Sequence, residues 1–282
     1  MSFLDNAQDA PLQIVGVINA YCALLAEKTG FKALYLSGAG VANASYGLPD
    51  IGLTTLSEVL IDVKRIKQAT TLPLLVDADT GFDDVFATVA AIEHAGAAGL
   101  HLEDQIDQKR CGHLAGKQLI SSEAMVERLS EALSARKNKA FMIMARTDAL
   151  AVEGIDAAIA RAIAYQNAGA DAIFVEAAQS LEDYTLFAQA LTIPILANMT
   201  EFGRTPLYTL DELSRAQVAM VLYPLSAFRA MNQAALNVYE TIKSDGSQRA
   251  CVDNMQTRAE LYHYLDYDPS DGATYERKHN RT

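Results

Sequence analysis

The stretch GADAIFVE, residues 169–176, decides how this chain folds. It opens on a glycine, which lacks a Cβ and suits the left-handed turn that ends a helix. It then runs through apolar and β-favouring residues and stops on a carboxylate, Glu176. Two other stretches share the layout: GFKALYLS at 30–37, ending on Ser37, and GAAGLHLE at 96–103, ending on Glu103. Each follows an Ala-rich helical stretch, so the repeated unit is helix, glycine stop, short strand, polar end. Helix followed by strand, repeated, is the unit of a parallel α/β fold.

Five more apolar runs extend the pattern: IVGVIN (14–19), LPLLVDAD (72–79), FMIMARTD (141–148), IPILANM (193–199) and VAMVLYP (218–224). Helix-like stretches separate them, among them LSEVLIDVKRIKQA (56–69), SSEAMVERLSEALSA (121–135) and GIDAAIARAIAYQNA (154–168). The last two carry Ser, Glu or Asp in the first turn, as helix N-termini prefer. Eight strands with intervening helices predict a (β/α)8 TIM-type barrel. A doubly wound sheet is the structural alternative, but no glycine-rich dinucleotide fingerprint follows the first strand. A long helix, SAFRAMNQAALNVYETIKS (226–244), and a second helical piece, NMQTRAELYHYL (254–265), come after the eighth strand. The expected organisation is one barrel domain over 1–282, with a helical extension at about 226–265 and a polar tail at 266–282.

Bulk composition narrows the function. Of 282 residues half are apolar and only 7 are Pro, as in an ordinary folded protein. The net charge of −12 argues against nucleic acid, whose phosphates reward a basic face. No run approaches the roughly 18 apolar residues of a membrane helix, and the N-terminus lacks a signal-peptide pattern. A cytoplasmic protein is expected. The 3 cysteines, at 22, 111 and 251, are too few and scattered for a disulfide framework or a metal clip. Cys22 and Cys251 read as packing residues.

In a (β/α)8 barrel the chemistry sits at the C-terminal strand ends. Here those ends carry Ser37, Asp77, Asp79, Glu103, Asp104, Arg146, Asp148, Glu176 and Asn198. A helix cap is the plain structural explanation for Ser37 or Asp148, but charged residues on so many buried strands favour one shared polar site. Asp77 and Asp79 are two residues apart, which on a strand points both carboxylates to the same side. Two such groups repel unless a cation or a shared proton intervenes. Oxygen ligands without a His or Cys cluster suit Mg2+ or Mn2+, with Glu103 and Glu176 as outer-shell partners. Arg146 offers a planar fork for a carboxylate, whereas Arg229 and Arg258 read as surface or interface residues. In KRCGH (109–113), Lys109, Arg110 and His113 crowd Cys111, which argues against an inert thiol. Metal, acidic groups, arginine and thiol together suggest an enolate forming or collapsing on a 2-oxo acid.

With these residues in place, the chain resembles the methylisocitrate lyases of the isocitrate lyase and phosphoenolpyruvate mutase superfamily. The matching motifs, in order, are YLSGAGVA (35–42), GLPD (47–50), VDADTGF (76–82), HLEDQ (101–105), KRCGH (109–113), MARTDA (144–149), ANMTEFG (197–203), YPLSAFRAMN (223–232) and MQTRAELY (255–262). The likeness spans the chain from about Pro11 to Tyr267. Met199 stands where many relatives have Ile, and Asp83 where many have Gly. The short chain and NMTEFG, in place of a Ser/Pro/Phe-rich stretch, separate it from isocitrate lyase itself.

The resemblance implies cleavage of 2-methylisocitrate, a tricarboxylate, to pyruvate and succinate, the last step of the methylcitrate cycle of propionate breakdown. It implies Mg2+ around Asp77 and Asp79. It implies substrate contacts from Ser37, Gly38, Ala39, Cys111, Gly112, Arg146, Glu176, Asn198, Met199, Thr200, Arg229 and Arg258. It also implies a homotetramer whose eighth helix is exchanged between barrels, which would bring Arg229 and Arg258 to a site. On this picture Cys111 is the acid that protonates the succinate carbanion, its thiol lowered from about 8.5 by Lys109, Arg110 and His113. Tyr35, Asp50 or a metal-bound water is the base. The segment 104–120 reads as a loop closing over substrate. Isocitrate or oxaloacetate as substrate is the nearest rival. A non-catalytic metabolite-binding barrel would lack some of Asp77, Asp79, Lys109, Cys111, His113 and Arg146, and all are present.

Overall fold

The computed structural model describes Phe3, residues 11–106 and residues 116–270. Strands and helices alternate: β1 (Leu12–Gly16), α1 (Ala20–Lys28), β2 (Ala33–Leu36), α2 (Leu56–Ala69), β3 (Leu74–Asp77), α3 (Val85–His94), β4 (Gly99–Glu103) and α4 (Ser122–Ala135). They continue as β5 (Met142–Thr147), α5 (Ile155–Ala168), β6 (Ala172–Val175), α6 (Leu181–Ala190), β7 (Ile195–Asn198), α7 (Leu210–Arg215), β8 (Met220–Tyr223), α8 (Ser226–Asp245) and α9 (Arg258–Tyr264). The strands are parallel, and β8 pairs with β1 through Leu12 and Met220 to close the barrel. The (β/α)8 architecture expected from the sequence is the one the chain adopts.

The three glycines that open the repeated unit all have left-handed backbones: φ is +97° at Gly30, +90° at Gly96 and +106° at Gly169. Capping by side chains sets several other helix starts. Thr55 and Glu58 form a reciprocal capping box on α2, and Ser121 caps α4 by accepting from Ala124 N–H. A similar box from Thr257 and Glu260 starts α9 later than hydrophobicity suggests, because Arg249–Asn254 forms a 3-10 turn instead. The first strand also lies two residues earlier than the run IVGVIN implies. Asn19, at the end of that run, turns outward to accept from Cys22 N–H as the cap of α1.

Side-chain alternation along the strands divides the core into two layers. Leu34, Leu36, Val76, Leu100, Leu102, Ile143 and Ile173 face outward against the helices, with Val59, Val63, Met125 and Leu129 opposite them. Leu12, Ile14, Leu75, Met142, Met144, Leu196 and Met220 face inward and fill the barrel. Burying each such side chain contributes roughly 1.5–3 kcal/mol. This solid plug supports the polar residues above it.

The C-terminal extension is built differently. No residue of α8 is buried, and Met231, Leu236, Tyr239 and Ile242 are 43%, 49%, 69% and 44% exposed. Beyond it the chain returns to α1: Tyr21 Oη donates to Gln256 Oε1 at 2.7 Å, and Lys28 pairs with Asp266 at 2.5 Å.

Candidate active site

The inward positions change character toward the C-terminal ends of the strands. Tyr35, His101 and Phe174 form the first layer above the aliphatic plug. The His101 ring stacks on Tyr35 with centroids 5.8 Å apart and tilts against Phe174 at 5.1 Å. Tyr35 Oη lies 2.9 Å from His101 Nε2 and donates to Asp77 Oδ2 at 3.3 Å. Next come Ser37, Asp77, Asp79, Glu103, Arg146, Asp148, Glu176 and Asn198, all buried.

Asp77 is the last residue of β3, but Asp79 is not on the strand. It lies in the following turn with φ +50°, so strand periodicity is not what joins the two carboxylates. The turn does it: Asp79 N–H donates to Asp77 Oδ1 at 3.2 Å, and Gly38 N–H donates to Asp77 Oδ2 at 3.0 Å. A Cβ built on Gly38 would stand 3.2 Å from both Asp77 Oδ2 and Asp79 Oδ1. Glycine therefore leaves open the notch on which the two groups converge. Left-handed backbones also occur at Phe82, Ala177 and Phe202, in the turns after β3, β6 and β7. Strain of this kind concentrates where geometry serves function.

Among the described residues no group of three or more His, Cys, Asp or Glu side chains is arranged to hold a metal. A hard divalent ion does not require one. Mg2+ keeps several waters and takes one or two carboxylates, with the remaining oxygens supplied by substrate. The convergent Asp77/Asp79 pair fits that demand, as does the surplus of buried carboxylates over cations around it.

Arg146 occupies the centre of this surplus. Its Nε and Nη2 donate to Asp148 Oδ2 and Oδ1 at 3.0 and 3.2 Å. Nη1 lies 3.3 Å from Glu103 Oε2 and Nη2 lies 3.5 Å from Glu176 Oε1. The guanidinium carbon sits 5.2 Å from the centre of the Phe174 ring. Burial opposes its charge, but Asp148, Glu103 and Glu176 outweigh that and hold its pKa well above the ordinary arginine value. Burial likewise pushes the Asp148 carboxyl up, and Arg146 and Lys117 together reverse this and keep it ionised. Lys117 Nζ donates to Asp148 Oδ1 at 2.7 Å, with both side chains inaccessible to solvent. Asn198 Nδ2 donates to Glu176 Oε2 at 3.1 Å.

Asp104 plays another part. Burial raises its pKa, and it accepts from Thr147 Oγ1, Tyr165 Oη and Asp148 N–H, tying β4 to β5 and α5.

The remaining expected site residues are placed unevenly. Ser37 caps the short helical turn after β2, accepting from Gly40 N–H at 3.2 Å, and Ala39 lies half-buried in that turn. Asp50 is half-buried in the loop before α2. Thr200 is buried beside Asn198, but Met199 turns its side chain into the helix-facing core. Arg229 lies 3.6 Å from Glu201 on the turn after β7 and stacks on Phe202, while Arg258 is exposed at the start of α9. Neither touches the buried cluster within this one chain. Lys109, Cys111, Gly112 and His113 lie outside the described residues, as does most of the expected closing loop. Its flanks are described: Gln105 and Leu119 form an antiparallel bridge, and Ile106 N–H donates to Gln118 O at 3.0 Å.

His101 and Lys117 were not singled out from the sequence. His101 carries a readable signal, since it precedes Glu103 by two residues on one strand and so shares its inward face. Lys117 carries none.

Fold and site together define a (β/α)8-barrel enzyme with its carboxylates and arginine at the C-terminal strand ends. The model of the phosphoenolpyruvate phosphomutase family matches residues 4–243. The chain is 59% identical over 266 residues to a 2-methylisocitrate lyase of Vibrio cholerae, covering 91% of this chain and 86% of that one. Among solved structures, a 2,3-dimethylmalate lyase of the PEP mutase/isocitrate lyase superfamily superposes with a TM-score of 0.86 at 32% identity, over 96% of this chain and 94% of that one. A phosphonopyruvate hydrolase in complex with oxalate and Mg++ superposes with a TM-score of 0.80 at 28% identity, covering 93% and 92% of the two chains. This chain belongs to the phosphoenolpyruvate phosphomutase family, among the relatives of the 2-methylisocitrate lyases.

Proposed function

We propose that this chain is a carbon–carbon lyase that cleaves 2-methylisocitrate to pyruvate and succinate in propionate breakdown, in the cytoplasm. The observation that carries the reading is 59% identity to a 2-methylisocitrate lyase across 91% of the chain. The buried Asp77, Asp79 and Arg146 supply a matching polar floor.

Asp77 and Asp79 would hold Mg2+, with Mn2+ as a substitute. When bound, the ion supplies charge stabilisation for the oxygen of the 2-oxo acid product. Arg146 binds a substrate carboxylate through its fork. Asn198, beside Glu176, offers polar contacts to the same ligand. Tyr35 or Asp50 takes the proton from the C2 hydroxyl as the C2–C3 bond breaks. The electron pair passes to C3, and Cys111, flanked in sequence by Lys109 and His113, returns a proton there. Gly38, Ala39 and Ser37 form the wall on the β2 side, with Gly112, the backbone of Met199, and Thr200 completing the contacts.

The working form is a homotetramer with exchanged C-terminal helices, each chain acting as one barrel unit. The solvent-facing Leu236 and Tyr239 on α8 support that reading. Exchange would bring Arg229 and Arg258 to a neighbouring site.

A second reading has an observation of its own: the structural neighbours include a 2,3-dimethylmalate lyase and an oxaloacetate acetylhydrolase. One methyl group discriminates by only about 1–3 kcal/mol, so isocitrate and oxaloacetate are the competitors to measure. Release of pyruvate and succinate from 2-methylisocitrate with Mg2+, abolished by chelation, tests the main reading.

A further inference from the structure

We propose that Lys117 is a positioning residue: it fixes the Asp148 carboxylate, and through it the orientation of the Arg146 fork that receives an anionic ligand. This rests on the reading of Arg146 as a carboxylate-binding group.

Asp148 Oδ1 is shared. It accepts from Lys117 Nζ at 2.7 Å and from Arg146 Nη2 at 3.2 Å, while Oδ2 accepts from Arg146 Nε at 3.0 Å. The Asp148 backbone is held as well, its N–H donating to Asp104 Oδ1 at 2.8 Å. Among the described residues, the other charged groups beside the guanidinium are Glu103 and Glu176, farther off at 3.3 and 3.5 Å. Asp148 is therefore the fixed partner of Arg146, and Glu103 and Glu176 are the ones a ligand carboxylate would rearrange. A fork gripped along its Nε/Nη2 edge keeps Nη1 directed at the site. With Arg146 alone, a carboxylate and a guanidinium move together; a second cation on Oδ1 turns the carboxylate into an anchor.

Burial points the same way. Lys117 and Asp148 side chains are 1% and 0% exposed. Removing an ammonium from water is costly, and buried ion pairs seldom repay this as net stability, so a positional role accounts for a lysine there better than stability does. Its location adds a connection: Lys117 directly precedes Gln118 and Leu119, which pair with Ile106 and Gln105 after β4. The pairing that returns the chain to β4 and the orientation of Arg146 thus share one buried contact.

The test uses the full chain with Lys117→Met, and with Lys117→Gln as the milder change should the first variant not fold. Binding of Mn2+ alone and of oxalate to the Mn2+-loaded protein is measured by calorimetry, alongside KM and kcat for 2-methylisocitrate. The expected result is Mn2+ affinity within about twofold of the parent and oxalate affinity lower by about tenfold, the scale of one charge-assisted hydrogen bond. KM should rise by a similar factor with a smaller change in kcat, and Lys117→Arg should recover part of it. Unchanged oxalate affinity in a folded variant overturns the proposal, as does an equal fall in Mn2+ and oxalate affinity. If the parent does not cleave 2-methylisocitrate, the functional reading fails, and the oxalate measurement still decides the role of Lys117.

Discussion

Gly38 and Asp77 belong to neighbouring strand ends, and the backbone N–H of Gly38 is hydrogen-bonded to Asp77 Oδ2 at 3.0 Å. A Cβ at Gly38 would stand 3.2 Å from both Asp77 Oδ2 and Asp79 Oδ1, so both carboxylates would have to give way by a few tenths of an ångström. Overpacking of a tight site costs typically ~1–3 kcal/mol. Gly38→Ala should therefore weaken Mn2+ binding by about tenfold or more while the barrel stays folded, as titration calorimetry and circular dichroism would record. Parent-like affinity would show that the notch is not the ion's site.

Tyr35 links Asp77 to His101 beneath the carboxylates. A general base contributes a factor of about 10²–10⁴ to turnover, and the proposed candidates are Tyr35 and Asp50. Tyr35→Phe should lower kcat on that scale, and Asp50→Asn should do so far less. The opposite ranking in steady-state kinetics would assign the proton transfer to Asp50.

The Asp148 carboxyl titrates below its ordinary value because Arg146 and Lys117 overcome its burial. A folded pKa lower than the unfolded one stabilises the fold above the unfolded value of ~4, and that contribution is lost as pH falls through the folded pKa. Melting temperature should accordingly drop as the medium is acidified below about pH 4. Asp148→Asn should melt lower at pH 7, by about 5–15 °C for a broken buried pair, and should show a shallower acid limb. An unchanged acid limb would mean that other carboxyls carry it.

The sequence made the barrel legible because each signal was local: glycine stops, short apolar runs, capping residues. Polar strand ends were legible for the same reason, and Glu103, Arg146, Asp148 and Glu176 do come together. Asp79 does lie against Asp77, but a left-handed turn, not the strand alternation read from the sequence, brings it there. Met199 was expected among the ligand contacts, yet its side chain packs against the helices. The Lys117–Asp148 pair could not be read at all: the partners are 31 positions apart, and only the pairing of β4 with β5 makes them neighbours.

An amphipathic α8 with Leu236 and Tyr239 facing solvent is expected to be covered by another copy of the chain. Light scattering should give a tetramer for the parent and a smaller species for the Leu236→Asp, Tyr239→Asp double variant, with activity falling in parallel. A monomeric, fully active parent would remove Arg229 and Arg258 from the site.

The most direct measurement compares 2-methylisocitrate, isocitrate and oxaloacetate as substrates of the purified chain with Mg2+, following pyruvate and succinate by a coupled assay. Pyruvate and succinate in equal amounts from 2-methylisocitrate, at the highest kcat/KM of the three and with no product after chelation, is the expected result. No cleavage of 2-methylisocitrate, or a higher kcat/KM for isocitrate or oxaloacetate, would contradict the assignment.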